Sequence, residues 1–217
     1  MSVLGKSQIY EKIQKKELIF SPALDKFQLG SHSVDLRLGF TFMVPKFWHV
    51  TKKGREAINI DYLDNKGKSN FDIVELEQGQ RFDILPGEYV IFSTFESIKL
   101  PKNIMAVLYP RSSVNRRGLS VDLTGIIDAG YEGHLIIPVR NNTKSQTIRV
   151  YPGERFCQLV FEELSGPLSE LKKNRYHGRY NNMDVVKGFL KEKSSTEINL
   201  IFKGDIKKLK DKFTLGL

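Results

Sequence analysis

The chain has 217 residues, of which 40% are hydrophobic and 27% charged, a composition typical of a folded domain and not of a disordered chain. Its apolar runs are too short to span a bilayer, and we see no secretion signal in it. The single cysteine, Cys157, excludes an intrachain disulfide and a cysteine-based metal site. We therefore expect a cytoplasmic protein without a membrane segment.

The net charge of +9 is concentrated in the last part of the chain. Residues 171–217 hold 12 Lys and Arg against 5 Asp and Glu, whereas residues 1–170 hold 22 against 20. A basic protein first suggests nucleic-acid binding. Because the body of the chain is almost neutral, the positive charge of the tail needs a separate explanation.

In chain order, the pattern begins with an amphipathic helix at 7–18, with Ser7 as a candidate N-cap. Short β-rich runs follow, separated by Pro-Gly and Asn-Asn turns. They lie at 34–44, 71–76, 81–85, 88–95, 104–109, 119–123, 134–140, 147–151 and 155–164. This punctuation predicts an all-β sandwich, barrel or jelly roll. Within it, 45–70 is predicted as a long loop with a short strand at 57–60.

A Ser-Gly-Pro segment marks the end of the β-rich part. We therefore expect a β domain at 1–170, a basic segment at 171–193 and a C-terminal extension at 194–217. Within the extension, NLIF (199–202) has a strand-like pattern and DIKKLKDKF (205–213) a helix-like one.

The first candidate for chemistry is the run Arg111-Ser112-Ser113, which Arg116 follows closely. A guanidinium binds two phosphate oxygens at once, and the hydroxyl groups add further donors. The run therefore suits a phosphate group. Alone, it is equally typical of a solvated turn with an N-capping serine.

The second candidate is a glycine-rich loop that carries Asp128 and Tyr131 between two predicted strands. A carboxylate between apolar neighbours can act as a base on water, and a tyrosine ring can pack on a sugar or a base. The alternative is a β-hairpin in which the aspartate makes a local turn bond.

Two further segments place polar residues on predicted strands. Asp35 and Arg37 alternate with apolar residues in SVDLRLG, which is also typical of a structural ion pair. Arg155 and Gln158 begin a later strand. Gln158 can bond either a ligand or the backbone.

Together these segments are more specific than any one alone, and they resemble the superfamily of dUTPases and dCTP deaminases. These are homotrimeric all-β enzymes that act on deoxynucleoside triphosphates. The resemblance covers roughly residues 5–181, and PGEYVIFSTFESIKLP (86–101) is most similar to the dCTP deaminase branch. The four segments that carry it are SVDLRLG (33–39), PRSS (110–113), GIIDAGYEG (125–133) and GERFCQLVF (153–161). The resemblance implies a dUTPase-like distorted jelly roll.

The resemblance also implies a set of phosphate contacts. Arg111, Ser112 and Ser113 would hold the triphosphate, with Arg116 beside them. Gln158 would lie near the α-phosphate.

The resemblance also implies which residues contact the attacking water, the sugar and the metal. Asp128 would order the attacking water and act as the base for hydrolysis, while Tyr131 would pack against the deoxyribose. Asp35 and Arg155 would support the phosphate-binding groups. Magnesium would be held mainly by the triphosphate and water, without direct protein ligands.

The segment RYHGRY in the basic tail resembles the closing segment of the deaminase branch. Arg175, Tyr176 and Arg179 would then contact the triphosphate as the segment folds over the nucleotide. The alternative is a flexible basic linker. In such a lid, part of the positive charge of the tail would bind the phosphates of a small polyphosphate substrate. We therefore expect nucleic-acid binding less than binding of a small polyphosphate.

Two positions depart from the family pattern. Pro138 stands ten residues beyond Asp128, where a deaminase carries the glutamate that moves protons at cytosine C4, and proline has no acid. Asp122 stands where a dUTPase carries the asparagine that reads uracil. An ionised aspartate would face the O4 lone pairs of uracil and suits the N4 amine of cytosine better.

Three functions remain open. The sequence favours first a deoxypyrimidine-triphosphate pyrophosphohydrolase, with dUTP and water giving dUMP and diphosphate. The second is a dCTP deaminase, including a bifunctional dUMP-forming enzyme. The third is a non-catalytic protein that binds nucleotides or nucleic acid.

Overall fold

The computed structural model describes residues 2–58, 70–122, 125–165 and 195–214 of the chain. These residues are mainly β-strand, as the sequence predicts. The strands are β1 (Ser2–Val3), β2 (Ile19–Ser21), β3 (Val34–Pro45), β4 (Trp48–Thr51), β5 (Gly54–Ala57), β6 (Phe71–Glu75), β7 (Phe82–Ile84), β8 (Tyr89–Lys99), β9 (Ile104–Pro110), β10 (Leu119–Val121), β11 (Ile126–Ile127), β12 (Glu132–Asn141), β13 (Ile148–Val150) and β14 (Arg155–Glu163). The helices are α1 (Lys6–Gln14), α2 (Ser112–Arg116), α3 (Ser195–Phe202) and α4 (Ile206–Lys212).

One antiparallel sheet dominates the described residues. Its strand order is β10-β12-β8-β3-β14-β9-β11, and β1, β2 and β6 pair with β14, β8 and β3 respectively. Because β10 also approaches β9, the sheet curls back on itself. Two smaller antiparallel pairs, β7 with β13 and β4 with β5, complete the described strands.

The core lies inside this curled sheet, where alternate residues of each long strand point. Along β12, for example, Leu135, Ile137 and Val139 are buried, as the period of two along a strand requires. At the centre, the ring of Phe92 lies 4.8 Å from that of Phe156 and 5.7 Å from that of Phe42. These aromatic contacts join β8, β14 and β3, the middle of the sheet.

Both predicted Pro-Gly turns are present. Gly87 and Gly153 have φ angles of 73° and 86°, a conformation that favours glycine over residues with a Cβ. The N–H of Gly153 donates to the carbonyl oxygen of Leu38 at 2.7 Å, which ties the start of β14 to β3. The turn thus positions Arg155, two residues later, opposite Arg37 near the start of β3.

Several element boundaries differ from the prediction. Helix α1 begins after Gly5, whose N–H donates to the Gln8 side chain at 2.9 Å, so Ser7 is not the N-cap. Strand β8 continues to Lys99 because it pairs with β12 over its whole length. The 45–70 excursion contains the hairpin β4–β5, and residues 59–69 lie outside the described residues.

The prediction of a strand at 199–202 is wrong, because these residues belong to α3. A short apolar run fits a strand and a helix equally well, and here α3 packs against α4 with Leu200 buried. The helix predicted at 205–213 is present as α4, capped by the Asp205 carboxylate, which accepts from the N–H of Lys208. No helix of the described segments is both long and apolar enough to cross a membrane.

Candidate active site

One group of predicted site residues meets at the end of β9. Arg111 follows this strand, and its Nε lies 3.1 Å from Oδ2 of Asp35. Arg155 Nη1 lies 3.1 Å from the same oxygen and donates to the carbonyl oxygen of Phe27 at 2.7 Å. Asp35 therefore holds two guanidinium groups side by side, one from the residue after β9 and one from β14.

The charge of this group is not balanced. Only 11% of the Asp35 side chain is exposed, and burial raises the pKa of its carboxyl against the opposing effect of Arg111 and Arg155. The two arginines remain about one-third exposed. Two guanidiniums share one carboxylate, so the cluster carries surplus positive charge that an anion can neutralise.

Gln158 belongs to the same group through strand register. It lies opposite Asp35 on β3 and opposite Tyr109 on β9. Directly opposed residues of an antiparallel pair project from the same face of the sheet. The half-buried Gln158 side chain therefore lies on the same face as Asp35, next to the arginine cluster.

Helix α2 presents the serine residues of the same segment. Ser112 and Ser113 are exposed in its first turn, and the buried Val114 anchors the helix to the core. Arg116 is exposed, and its Nη2 donates to Ser112 Oγ at 3.3 Å. The next residue, Arg117, turns instead to an ion pair with Glu154. Arg116 is thus the arginine of this helix that faces solvent.

The loop after β11 carries the second group. Asp128 is exposed, and its carbonyl oxygen accepts from the N–H of Tyr131 at 3.1 Å. The hydroxyl of Tyr131 donates to the carbonyl oxygen of His134 at 2.6 Å, and its carbonyl oxygen accepts from the N–H of Leu100 at 2.8 Å. The loop is therefore fixed at both ends while the Asp128 carboxylate stays accessible.

These two groups lie far apart within one chain. Ile127 pairs with Ala106, so Asp128 lies next to the first residues of β9, whereas Arg111 follows its last residue. At about 3.4 Å per residue, the separation along the strand is about 20 Å. A single chain does not bring Asp128 and Arg111 to one small ligand.

Asp122 lies at the end of β10, opposite Pro138 on β12. Its N–H donates to the Pro138 carbonyl oxygen at 2.9 Å. Its carboxylate accepts from Ser120 Oγ at 2.8 Å and lies 3.7 Å from Arg140 Nε. The Arg140 guanidinium in turn lies 5.5 Å from the ring centre of Tyr89.

Burial raises the pKa of the Tyr89 hydroxyl, and the neighbouring Asp122 carboxylate raises it further. Sequence reasoning missed Ser120, Arg140 and Tyr89 as neighbours of Asp122. Pro138 and Arg140 both face outward because they alternate with buried residues along β12. Together with the register of β10 against β12, this alternation identifies Arg140 as a neighbour of Asp122.

Some predicted site residues cannot be placed. Arg175, Tyr176 and Arg179 lie in 166–194, outside the described residues. Within the described ranges, no three His, Cys, Asp or Glu side chains converge as ligands for a metal ion.

The described residues form an all-β protein with a curled antiparallel sheet, an exposed arginine–serine segment and a cluster of surplus positive charge. A family model described as "dCTP deaminase-like" matches residues 3–164. The chain therefore belongs to the dCTP deaminase-like family, which confirms the superfamily that the sequence motifs indicate.

Two curated relatives extend this result. The chain is 34% identical over 169 residues to a "dCTP deaminase, dUMP-forming" of Methanosphaera stadtmanae, a match that covers 77% of this chain and 82% of the relative. It is also 34% identical over 177 residues to a protein of the same name from Persephonella marina, covering 82% of this chain and 92% of the relative. Both relatives are named for the second of the three functions and not for dUTP hydrolysis, which the sequence places first.

A solved structure supports the fold. The 2'-deoxycytidine 5'-triphosphate deaminase of Agrobacterium tumefaciens is 23% identical and superposes with a TM-score of 0.54, covering 73% of this chain and 47% of that one. The all-β, dUTPase-like fold class is thus confirmed.

Proposed function

We propose that this protein converts dCTP and two water molecules into dUMP, ammonia and diphosphate. The observation that carries the proposal is the pair Arg111 and Arg155, held side by side by Asp35 with surplus positive charge. The choice of dCTP follows the relatives that are named dUMP-forming dCTP deaminases.

In the phosphate step, Arg111 and Arg116 bind the triphosphate oxygens, and the exposed hydroxyls of Ser112 and Ser113 donate to them. The leaving diphosphate gains negative charge as the bond to the α-phosphorus breaks. Guanidinium groups held in place before the reaction stabilise that charge without rearranging. Asp35 keeps Arg111 in position for this task.

Asp128 holds the water that attacks the α-phosphorus and takes its proton. Its carboxylate is exposed on a loop whose ends are fixed by backbone hydrogen bonds, so it can orient water without moving. Tyr131 packs against the deoxyribose, where a 2'-hydroxyl would collide with the ring.

Each site is shared between subunits of a homotrimer. Asp128 and Arg111 lie about 20 Å apart along β9, and a symmetric assembly can bring Asp128 of one subunit to Arg111 of the next. The proposed trimer therefore completes a site that one chain holds only in halves.

Magnesium is proposed to bind through the triphosphate oxygens and water. Two guanidiniums already contact the Asp35 carboxylate, so Asp35 is proposed to contact the water molecules around the ion and not the ion itself. When bound, the ion neutralises charge on the phosphates.

A second candidate is hydrolysis of dUTP without deamination. The observation that favours it is Pro138, which provides no acid at the strand position where the family's deaminases carry glutamate. The phosphate chemistry is the same for both candidates, so they differ only at the base.

The test is to incubate the purified protein with dCTP or dUTP and magnesium, and to measure ammonia and diphosphate separately. We expect both products from dCTP and no turnover by Asp128→Asn, which should still bind nucleotide. Diphosphate from dUTP without ammonia from dCTP would support the second candidate. Neither product from either nucleotide would favour a non-catalytic nucleotide-binding protein.

A further inference from the structure

Deamination requires an acid that the chain lacks at the usual place. Water must lose a proton as it adds to cytosine C4, and N3 and the leaving amine must gain protons. Pro138, at the position of the family's glutamate on β12, can do neither. If dCTP is deaminated, another group near the base must supply the acid, and this step rests on the proposed function.

Asp122 lies directly across the sheet from Pro138. Val121 pairs with Val139, and the next ladder bond runs from the Asp122 N–H to the Pro138 carbonyl oxygen. Residues that oppose each other in this way project from the same face, with Cβ atoms about 5 Å apart. The buried Val139 points into the core, so Pro138 and Asp122 face outward together.

The Asp122 carboxylate is oriented but still accessible. Ser120 Oγ donates to Oδ1 at 2.8 Å, which fixes the carboxylate on the side of β10. Arg140 Nε lies 3.7 Å from Asp122 Oδ2, which is longer than a hydrogen bond. The Asp122 side chain is 42% exposed. Oδ2 is thus open to a base ring placed over Pro138.

We infer that Asp122 is the catalytic carboxylate for deamination, taking over from the neighbouring strand the role that Pro138 cannot perform. Its carboxylate takes a proton from water as the water oxygen bonds to C4 and the C4–N3 π pair moves to N3. The carboxylate then gives this proton to N3. The carboxylate next carries the hydroxyl proton of the adduct to the amine. The C4–N4 bond breaks, ammonia leaves with the bonding pair, and the C4 carbonyl of dUTP forms.

The same position explains a preference for cytosine. An ionised carboxylate accepts from the N4 amine of cytosine, whereas it repels the O4 lone pairs of uracil. Asp122 would therefore select dCTP for the first step.

The test uses Asp122→Asn, the double variant Asp122→Asn with Pro138→Glu, and Asp83→Asn as a matched control. Asp83 is also an exposed aspartate paired with an arginine, but it lies on β7. We expect Asp122→Asn to lose ammonia release from dCTP by about 100-fold or more, the contribution typical of a proton-transfer group. Diphosphate release from dUTP should persist or rise, because the asparagine amide no longer repels the O4 lone pairs of uracil, and this activity also shows that the variant folds. The double variant should regain ammonia release, and the control should match wild type.

The outcomes separate the two proposals. Ammonia release by Asp122→Asn at the wild-type rate overturns the role of Asp122 and leaves the proposed function intact. Loss of both activities in Asp122→Asn also overturns a role confined to the base. Wild-type protein that releases diphosphate from dUTP but no ammonia from dCTP contradicts the proposed function itself.

Discussion

Two inactive variants should restore activity when they are mixed in one oligomer. Arg111→Ala removes a proposed phosphate contact, and its fold should survive because Asp35 keeps its bond to Arg155. Asp128→Asn removes the proposed base at an exposed position. Each variant alone should show no turnover, because every site then lacks one of the two groups.

The size of the recovery follows from the distance between the groups. Arg111 and Asp128 lie about 20 Å apart along β9, so in the proposed trimer each site takes Asp128 from one subunit and Arg111 from another. In a random mixture of equal amounts, about a quarter of such sites combine both intact residues. The mixture should therefore reach about a quarter of wild-type activity.

The assay co-refolds the variants from denaturant and follows diphosphate release from dUTP. Wild type co-refolded with Asp128→Asn serves as the control and should keep about half of its activity. No activity in the mixture, with the control behaving as expected, would refute a site shared between subunits. It would require the chain to bring Asp128 and Arg111 together in another conformation.

Four further predictions concern stability and binding. Asp35→Ala should lower the free energy of unfolding in urea by about 2 kcal/mol, because two partly exposed guanidiniums lose their carboxylate, and should raise KM. Phe92→Ala should cost about 4 kcal/mol in the same assay, because it empties the aromatic centre of the core. The Arg37 hydrogen bond lowers the pKa of the Asp25 carboxyl below its usual 3.8, so the stability lost in Asp25→Asn at pH 7 should vanish as the pH falls through that lowered pKa. Arg179→Ala should raise KM for nucleotide with little change in unfolding.

Each of these has a clear contrary result. Unchanged unfolding and KM in Asp35→Ala would mean that the carboxylate does not hold the arginines. A Phe92→Ala cost below about 1 kcal/mol would contradict its central place in the core. A gap between Asp25→Asn and wild type that persists at low pH would exclude the charged pair as its cause. Unchanged KM in Arg179→Ala would favour a linker over a closing segment.

The fold could be predicted largely from local patterns. The two Pro-Gly turns and the alternation along the strands identify the long strands, since both depend on neighbouring residues only. The apolar run at 199–202 has a strand-like pattern, but it is too short for its period to distinguish a strand from a helix. Its burial against α4 decides the matter.

The site could be predicted by residue type but not by arrangement. Motifs identify Arg111 and Asp128, yet only strand register shows that they lie at opposite ends of β9. Asp35 is separated from Arg155 by 120 positions in the sequence, so its bridging of two guanidiniums depends on the pairing of β3 with β14. The same holds for Asp122 and Pro138, which become neighbours only when β10 pairs with β12.

In the function that we propose, one protein removes both the amine and the diphosphate of dCTP. Turnover of dCTP in water enriched in oxygen-18, followed by mass spectrometry of the nucleotide product, tests it most directly. We predict dUMP that carries one heavy oxygen at C4 of the base and one on its phosphate, from water attack at both centres. Singly labelled dCMP, or dCTP that stays unchanged while dUTP yields singly labelled dUMP, would contradict the claim.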